Sequence, residues 1–165
     1  MSEDTKPIRR GEELDKANLS EFLQSNFVGK SGEIFIEQFP AGSSNLTYLV
    51  KIGAEEYVLR RPPFGNTVKS AHDMRREFNV LEKLSKVYQP APKPLIYCGD
   101  KAVIGSEFYL MERRGGLIIR GKLSEPPAVA GGLTLDNSQD LRKKTVESFI
   151  ENLVNLHSLD YEKID

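Results

Sequence analysis

Two side chains of opposite charge stand where a charge is not ordinarily put. Arg60 closes the run Tyr57-Val58-Leu59-Arg60, in which the period of two that marks a strand puts Val58 and Arg60 on one face and Arg61 on the other. Glu77 lies within Ser70 to Tyr88, where Met74, Phe78, Leu81, Leu84 and Tyr88 repeat at helical spacing. At about 100° per residue the apolar sector includes Glu77 and turns Arg75 and Arg76 outward. A carboxylate alone in an apolar stripe is costly, so the economical arrangement is an ion pair with a nearby strand cation, for which Arg60 is the candidate. A glutamate at the edge of the stripe reaching water fits the same pattern. Arg61 is expected as a solvated charge at a strand end.

Two connections have the composition of binding segments. Phe39-Pro40-Ala41-Gly42-Ser43-Ser44-Asn45-Leu46 joins two strand-like runs through small and hydroxyl residues. The backbone N–H groups of Gly42, Ser43, Ser44 and Asn45 can there approach a phosphate closely; an ordinary hairpin of small residues reads the same way. Phe108-Tyr109-Leu110-Met111 passes directly into Glu112-Arg113-Arg114-Gly115, a joint that can offer backbone amide and carbonyl groups to a flat heterocycle, as can any edge strand leaving a sheet. Two other signals carry less. Gly29-Lys30-Ser31 looks like the end of a Walker A motif, but the position five before Gly29 is Gln24, inside a helix. His157 falls in the apolar face of the last helix and reads as a satisfied core histidine.

The elements that must position these residues follow from periodicity and breakers. Leu14, Leu19, Phe22, Leu23 and Phe27 mark a short amphipathic helix stopped by Gly29 and Gly32, after ten residues that look loose. Glu33 to Phe39, Leu46 to Ile52 and Tyr57 to Arg61 read as a three-stranded meander. The long helix opens with the capping-box spacing Ser70 to Asp73. Pro90, Pro92 and Pro94 then extend the chain into a strand at Leu95 to Cys98, a turn around Gly99-Asp100 and a strand from Glu107 to Glu112. An irregular crossing with Glu125-Pro126-Pro127 and Gly131-Gly132 leads to a last helix from about Ser138 to Leu156, with Val146, Phe149, Ile150, Leu153 and Leu156 on its apolar face. The fold class is α+β: a five-stranded antiparallel sheet with one long helix packed on it.

Composition narrows the partners. The 165 residues carry 23 Lys+Arg against 24 Asp+Glu, a formal charge of -1, which gives no field that points to a polyanion or a membrane. The pairs Arg60-Arg61, Arg75-Arg76 and Arg113-Arg114 are offset by nearby acids and lack interleaved aromatics, so no nucleic-acid partner is expected. No apolar run approaches the roughly 20 residues of a membrane helix. Met1 to Arg10 is polar and mixed in charge, unlike a secretory signal, so no membrane partner and a cytoplasmic setting are expected. The lone Cys98 cannot form an internal disulfide, and two histidines with one thiol are too few for a finger-like zinc site.

Together these segments resemble the small lobe of the protein-kinase-like fold and, more closely, the aminoglycoside phosphotransferase family, including its branch associated with acyl-CoA dehydrogenases. The resemblance runs from about Ile34 to Leu159. Its telling segments are Phe39 to Asn45 followed by Leu46-Thr47-Tyr48-Leu49-Val50, Tyr57-Val58-Leu59-Arg60-Arg61-Pro62-Pro63, Arg76-Glu77, Phe108 to Glu112 and Leu156-His157-Ser158-Leu159-Asp160. It implies an N-terminal extension and short helix at 1–32, a nucleotide-binding small lobe at 33–114, an inter-lobe linker at 115–137 and the first helix of a larger lobe at 138–165.

The resemblance further implies Mg- and ATP-dependent transfer of a phosphoryl group to a hydroxyl of a small molecule. Gly42, Ser43, Ser44 and Asn45 would belong to the phosphate-covering loop. Arg60 would stand where kinases place a strand lysine on the phosphates, and Glu77 would hold it. Met111 would back the adenine, with backbone groups of Glu112 and Arg114 at its edge, and Val58, on the face of Arg60, would be among the cofactor-binding residues. The loop has one glycine, Gly42, in place of G-x-G-x-x-G, and the strand cation is Arg, planar and always charged. In this family the catalytic Asp and the Mg ligands lie beyond the last helix, and neither His-x-Asp with a following Asn nor Asp-x-Asp occurs in the 165 residues. The chain is therefore expected to bind nucleotide yet be inactive alone, with its small-molecule acceptor met through the missing lobe and self-association possible through an exposed last helix. A non-catalytic kinase-like binding or interaction module is the alternative.

Overall fold

Runs rich in β-branched and aromatic residues form five strands, β1 (Ile34–Gln38), β2 (Leu46–Ile52), β3 (Glu55–Arg61), β4 (Pro94–Cys98) and β5 (Phe108–Glu112). The computed structural model describes residues 4–27, 29, 32–40, 45–65, 73–116, 138–160 and 162. All strand pairs are antiparallel, in the order β1-β2-β3-β5-β4, which is the five-stranded sheet expected. The β2–β3 hairpin turns at Gly53, whose φ of 60° carries no Cβ clash. Among the described residues the strands are accompanied by α1 (Lys16–Asn26), α2 (Met74–Val87), α3 (Lys101–Ile104) and α4 (Ser138–His157).

Alternation gives the sheet two unlike faces. Leu46, Tyr48, Val50, Ile52, Tyr57, Leu59, Phe108 and Leu110 form one buried core with Leu14, Leu19 and Leu23 from α1 and its approach and with Ile104 of α3. The opposite face carries Leu49, Val58, Arg60, Tyr109 and Met111. There α2 packs against β4 and β5, with Phe78 edge-on to Tyr109 at 6.2 Å between ring centroids. The chain divides into two units, Met1–Arg114 and Gly115–Asp165, so α1 and the sheet share the first.

Several local expectations are corrected. α2 begins at Met74, one residue after Asp73, whose carboxylate accepts the Arg76 N–H at 2.8 Å and is the cap; Ser70 lies outside the described residues. The turn expected at Gly99-Asp100 opens a single helical turn, α3, capped by Asp100 and ended by Gly105 at φ 81°. The first ten residues, expected to be loose, are anchored from Asp4 onward. Lys6 and Gln38 exchange backbone hydrogen bonds at 2.9 Å each way, which fills the open edge of β1. Thr5, buried, donates to Glu37 Oε2 at 2.6 Å. Arg113 Nη2 donates to both Asp4 oxygens at 3.0 and 3.1 Å while Nη1 holds Glu56.

Arg61 is the largest correction. It is 2% exposed on the core face, not a solvated strand end. Its Nη1 donates to the Ile104 carbonyl at 3.0 Å and its Nε to the Pro62 carbonyl at 3.1 Å, and its guanidinium lies 3.7 Å from the Phe64 ring centroid. Burial pushes its pKa down from the ordinary value, opposed by Tyr48 and Glu12. Two of its donors are matched by carbonyls and its plane by an aromatic face, which is how a buried guanidinium is accommodated.

Tyr48, fully buried, donates its hydroxyl to the Glu12 carbonyl at 2.8 Å. Burial raises its pKa from 10.0 to about 12, with Arg61 opposing. A phenol whose folded pKa is raised contributes stability that is fully present below its unfolded pKa and is lost as pH rises through the folded one. Stability is therefore expected to fall between about pH 10 and about pH 12. Urea unfolding of the protein and of Tyr48→Phe across that window checks this; an equally steep fall in the variant would remove Tyr48 as its source.

In the second unit, α4 carries Val146, Phe149, Ile150 and Leu153 exposed and Leu156 half-buried. His157, expected in a core, is exposed. Of the expected linker, 117–137 lies outside the described residues. No helix among the described residues is long and apolar enough to cross a membrane.

Candidate functional site

The register of the central strands builds the site. Arg60 pairs with Thr47 on β2 and with Tyr109 on β5, and Val58 pairs with Met111. These β3 and β5 residues share one face, so Val58 and Arg60 lie roughly 7 Å apart along it. The first turn of α2 brings Glu77 to the same place, an acidic position that suits the positive end of the helix.

The two sequence-nominated charges meet there. Arg60 Nη2 lies 3.6 Å from Glu77 Oε2, with side chains 32% and 30% exposed. The pair thus sits at the rim of the face rather than out of water, and a pair so placed contributes little to stability. Glu77 has firmer partners: its Oε1 accepts from Asn45 Nδ2 at 2.8 Å and its Oε2 from the Tyr109 hydroxyl at 3.0 Å. Asn45 and Tyr109 are both buried. Burial pushes the Tyr109 hydroxyl well above its ordinary pKa, with Arg60 opposing and Glu77 adding, so it remains a donor at neutral pH. Arg60 Nε is buried and has no hydrogen-bond partner among the described residues.

The remaining nominated residues divide. Val58 is buried and Met111 half-buried beside it, forming an apolar patch next to Arg60. Gly42, Ser43 and Ser44 lie outside the described residues, and Asn45 turns its amide toward Glu77. The Glu112 N–H, expected to be available to a heterocycle, donates instead to the Lys93 carbonyl at 2.9 Å, because the α2–β4 connection closes against the end of β5. Glu112 Oε1 accepts the Lys93 N–H at 2.8 Å and the Arg114 guanidinium at 2.7 Å. Arg114 also donates to the Gln89 carbonyl at 2.9 Å. Its side chain therefore braces that connection. Among the described residues no group of three or more His, Cys, Asp or Glu could hold a metal ion.

Tyr109 is the residue that sequence reasoning missed. Alternation puts it on the face of Met111, but its position opposite Arg60 depends on the β3–β5 register, which carries no local signal.

The phosphotransferase enzyme family model matches residues 36–165. Acyl-CoA dehydrogenase family member 11 of Homo sapiens is 33% identical over 156 residues, a match that covers 92% of this chain and 19% of that protein. Acyl-CoA dehydrogenase family member 10 of Mus musculus is 30% identical over 159 residues, covering 96% of this chain and 14% of that protein. The chain spans a fifth or less of these curated relatives. A crystal structure described as a candidate aminoglycoside phosphotransferase, from Ralstonia eutropha, superimposes with a TM-score of 0.67 at 26% identity, covering 92% of this chain and 40% of that one.

Proposed function

The chain belongs to the phosphotransferase enzyme family, and from that premise we propose that its first unit is the nucleotide-binding lobe of an ATP-dependent phosphotransferase acting on a hydroxyl of a small molecule. One observation carries the reading: Arg60 is a permanent cation whose buried Nε has no acceptor among the described residues and whose acidic neighbour is held mainly by other donors. A guanidinium in that condition suits an anionic oxygen with in-plane lone pairs, which a phosphate supplies.

In this reading Arg60 binds the phosphates and Glu77 limits where the guanidinium can go. Val58 and Met111 provide an apolar floor for the base roughly one strand repeat away, and Asn45, the described end of the expected phosphate-covering segment, lies beside Glu77. The Glu112 carbonyl and the Arg114 backbone lie at the edge of the base. Magnesium-bound ATP supplies the transferable phosphoryl group; this chain's residues bind and orient it, the greater part of what such catalysts do. The metal ligands and the base that takes the acceptor's proton are assigned to sequence beyond α4, so these 165 residues alone are expected to bind without transferring.

A thermal shift with Mg-ATP, for the protein and for Glu77→Ala, tests this. Ligand at a hundredfold excess over Kd stabilises by about 2.7 kcal/mol, which is a rise of several degrees in Tm. The rise is expected in the protein and should be much reduced in the variant. Equal rises would remove Glu77 from the site, and no rise in the unaltered protein would overturn the nucleotide reading.

A further inference from the structure

An arginine and a glutamate within reach of each other ordinarily close into a fork, two parallel N–H···O bonds of about 2.8 Å. Arg60 and Glu77 do not: their closest approach is 3.6 Å, and Arg60 Nε, half of the usual fork, has no acceptor among the described residues. Each oxygen of Glu77 is instead held by a neutral donor, Asn45 Nδ2 on Oε1 and the Tyr109 hydroxyl on Oε2. Tyr109 comes from within β5 and Asn45 is the residue just before β2. Tyr109 is 1% exposed and lies directly across from Arg60 in the β3–β5 register, and Asn45 is 6% exposed.

We propose that Tyr109 and Asn45 are positioning residues that occupy the Glu77 carboxylate and so keep Arg60 out of a fork with it, leaving the guanidinium free to present paired donors to the phosphates of a polyanionic ligand. The proposal rests on the nucleotide reading above. It also gives a physical account of why arginine can stand at this strand position. An ammonium cannot chelate a carboxylate in a planar fork, so a lysine there stays available without help. A guanidinium is planar, always charged and shaped for carboxylate, so its acidic neighbour would capture it unless other donors, one on each oxygen, held that carboxylate in an orientation that does not meet the fork. Capture would be costly to binding, since both N–H groups of the fork would have to be withdrawn before a phosphate could use them.

Tyr109→Phe removes one donor while keeping the ring that packs on Phe78. The test compares the protein, Tyr109→Phe, Arg60→Lys and the double variant. One measurement is calorimetric titration with tripolyphosphate and with ATP; the other is arginine side-chain nitrogen NMR, which reads rotation of the Arg60 guanidinium about Cζ–Nε without any ligand. In the Arg60 protein, Tyr109→Phe is expected to weaken tripolyphosphate binding about tenfold, the scale of one charge-assisted hydrogen bond, and to slow the guanidinium rotation. In the Arg60→Lys background the same change should cost less than about twofold. A merely structural role for Tyr109 would give the same loss in both backgrounds, and that result, or no loss in either, overturns the proposal. If the unaltered protein binds neither polyphosphate nor ATP while Tyr109→Phe still slows the guanidinium, the nucleotide reading falls and the phosphate role with it, although the capping itself is confirmed. Asn45→Leu repeats the comparison from the other oxygen and covers the case in which Tyr109→Phe does not fold.

Discussion

Arg61→Ala is expected to lower the free energy of unfolding by about 3 kcal/mol, combining the cavity left by a large core side chain with the loss of buried hydrogen bonds. The residue is 2% exposed, it satisfies the Ile104 and Pro62 carbonyls, and its guanidinium covers the Phe64 ring. Truncation leaves a void at the end of β3 and a carbonyl of α3 without its donor. Arg61→Met fills much of the void without replacing the donors, so its loss should be smaller, about 1–2 kcal/mol. Urea unfolding of both variants gives the order. A loss under about 0.5 kcal/mol for Arg61→Ala, the range of ordinary surface changes, would mean that the side chain exchanges with solvent.

The adjacent arginine should behave in the opposite way. Arg60→Ala removes a side chain that is a third exposed and whose ion pair is loose, so unfolding should change by less than about 1 kcal/mol. Its binding defect is expected to be large: about thirtyfold weaker ATP, corresponding to roughly 2 kcal/mol of charge-assisted hydrogen bonding. Arg60→Lys should recover part of it through charge without restoring planar recognition. Titrations at fixed ionic strength keep screening constant between variants. A loss below about threefold in Arg60→Ala, well short of one charge-assisted bond, would take this residue out of the binding site.

Much of this arrangement was legible in the sequence because it follows from two periods. Alternation through Tyr57 to Arg60 and helical spacing through Met74 to Tyr88 together placed a cation and an acid on facing surfaces, and the structure brings them into contact. Parity could say that Arg61 faces away from Arg60, but not whether that other face meets water or α1; this depends on where Leu19 and Leu23 pack, a tertiary fact. The arm from Asp4 to Arg9 was missed because it docks by backbone bonds on the edge of β1 and by polar pairs distant in sequence, Thr5 with Glu37 and Asp4 with Arg113, neither of which leaves a periodic pattern. The single turn α3 is shorter than two helical periods, so only its Asp100 cap and Gly105 stop could have revealed it. Tyr109 was hidden by register, since strand sequence alone does not state which residue lies opposite which.

The Arg60-Arg61 step also bears on kinetics. Since Arg61 fastens the end of β3 to carbonyls of Pro62 and Ile104 from beneath, the main chain at this dipeptide has little latitude. Whatever Arg60 does on meeting an anion must then be done by torsions of its own aliphatic stem, on the picosecond-to-nanosecond scale of partly exposed side chains. Capture at this end of the sheet would be fast, with any slower closure arising elsewhere in the polypeptide.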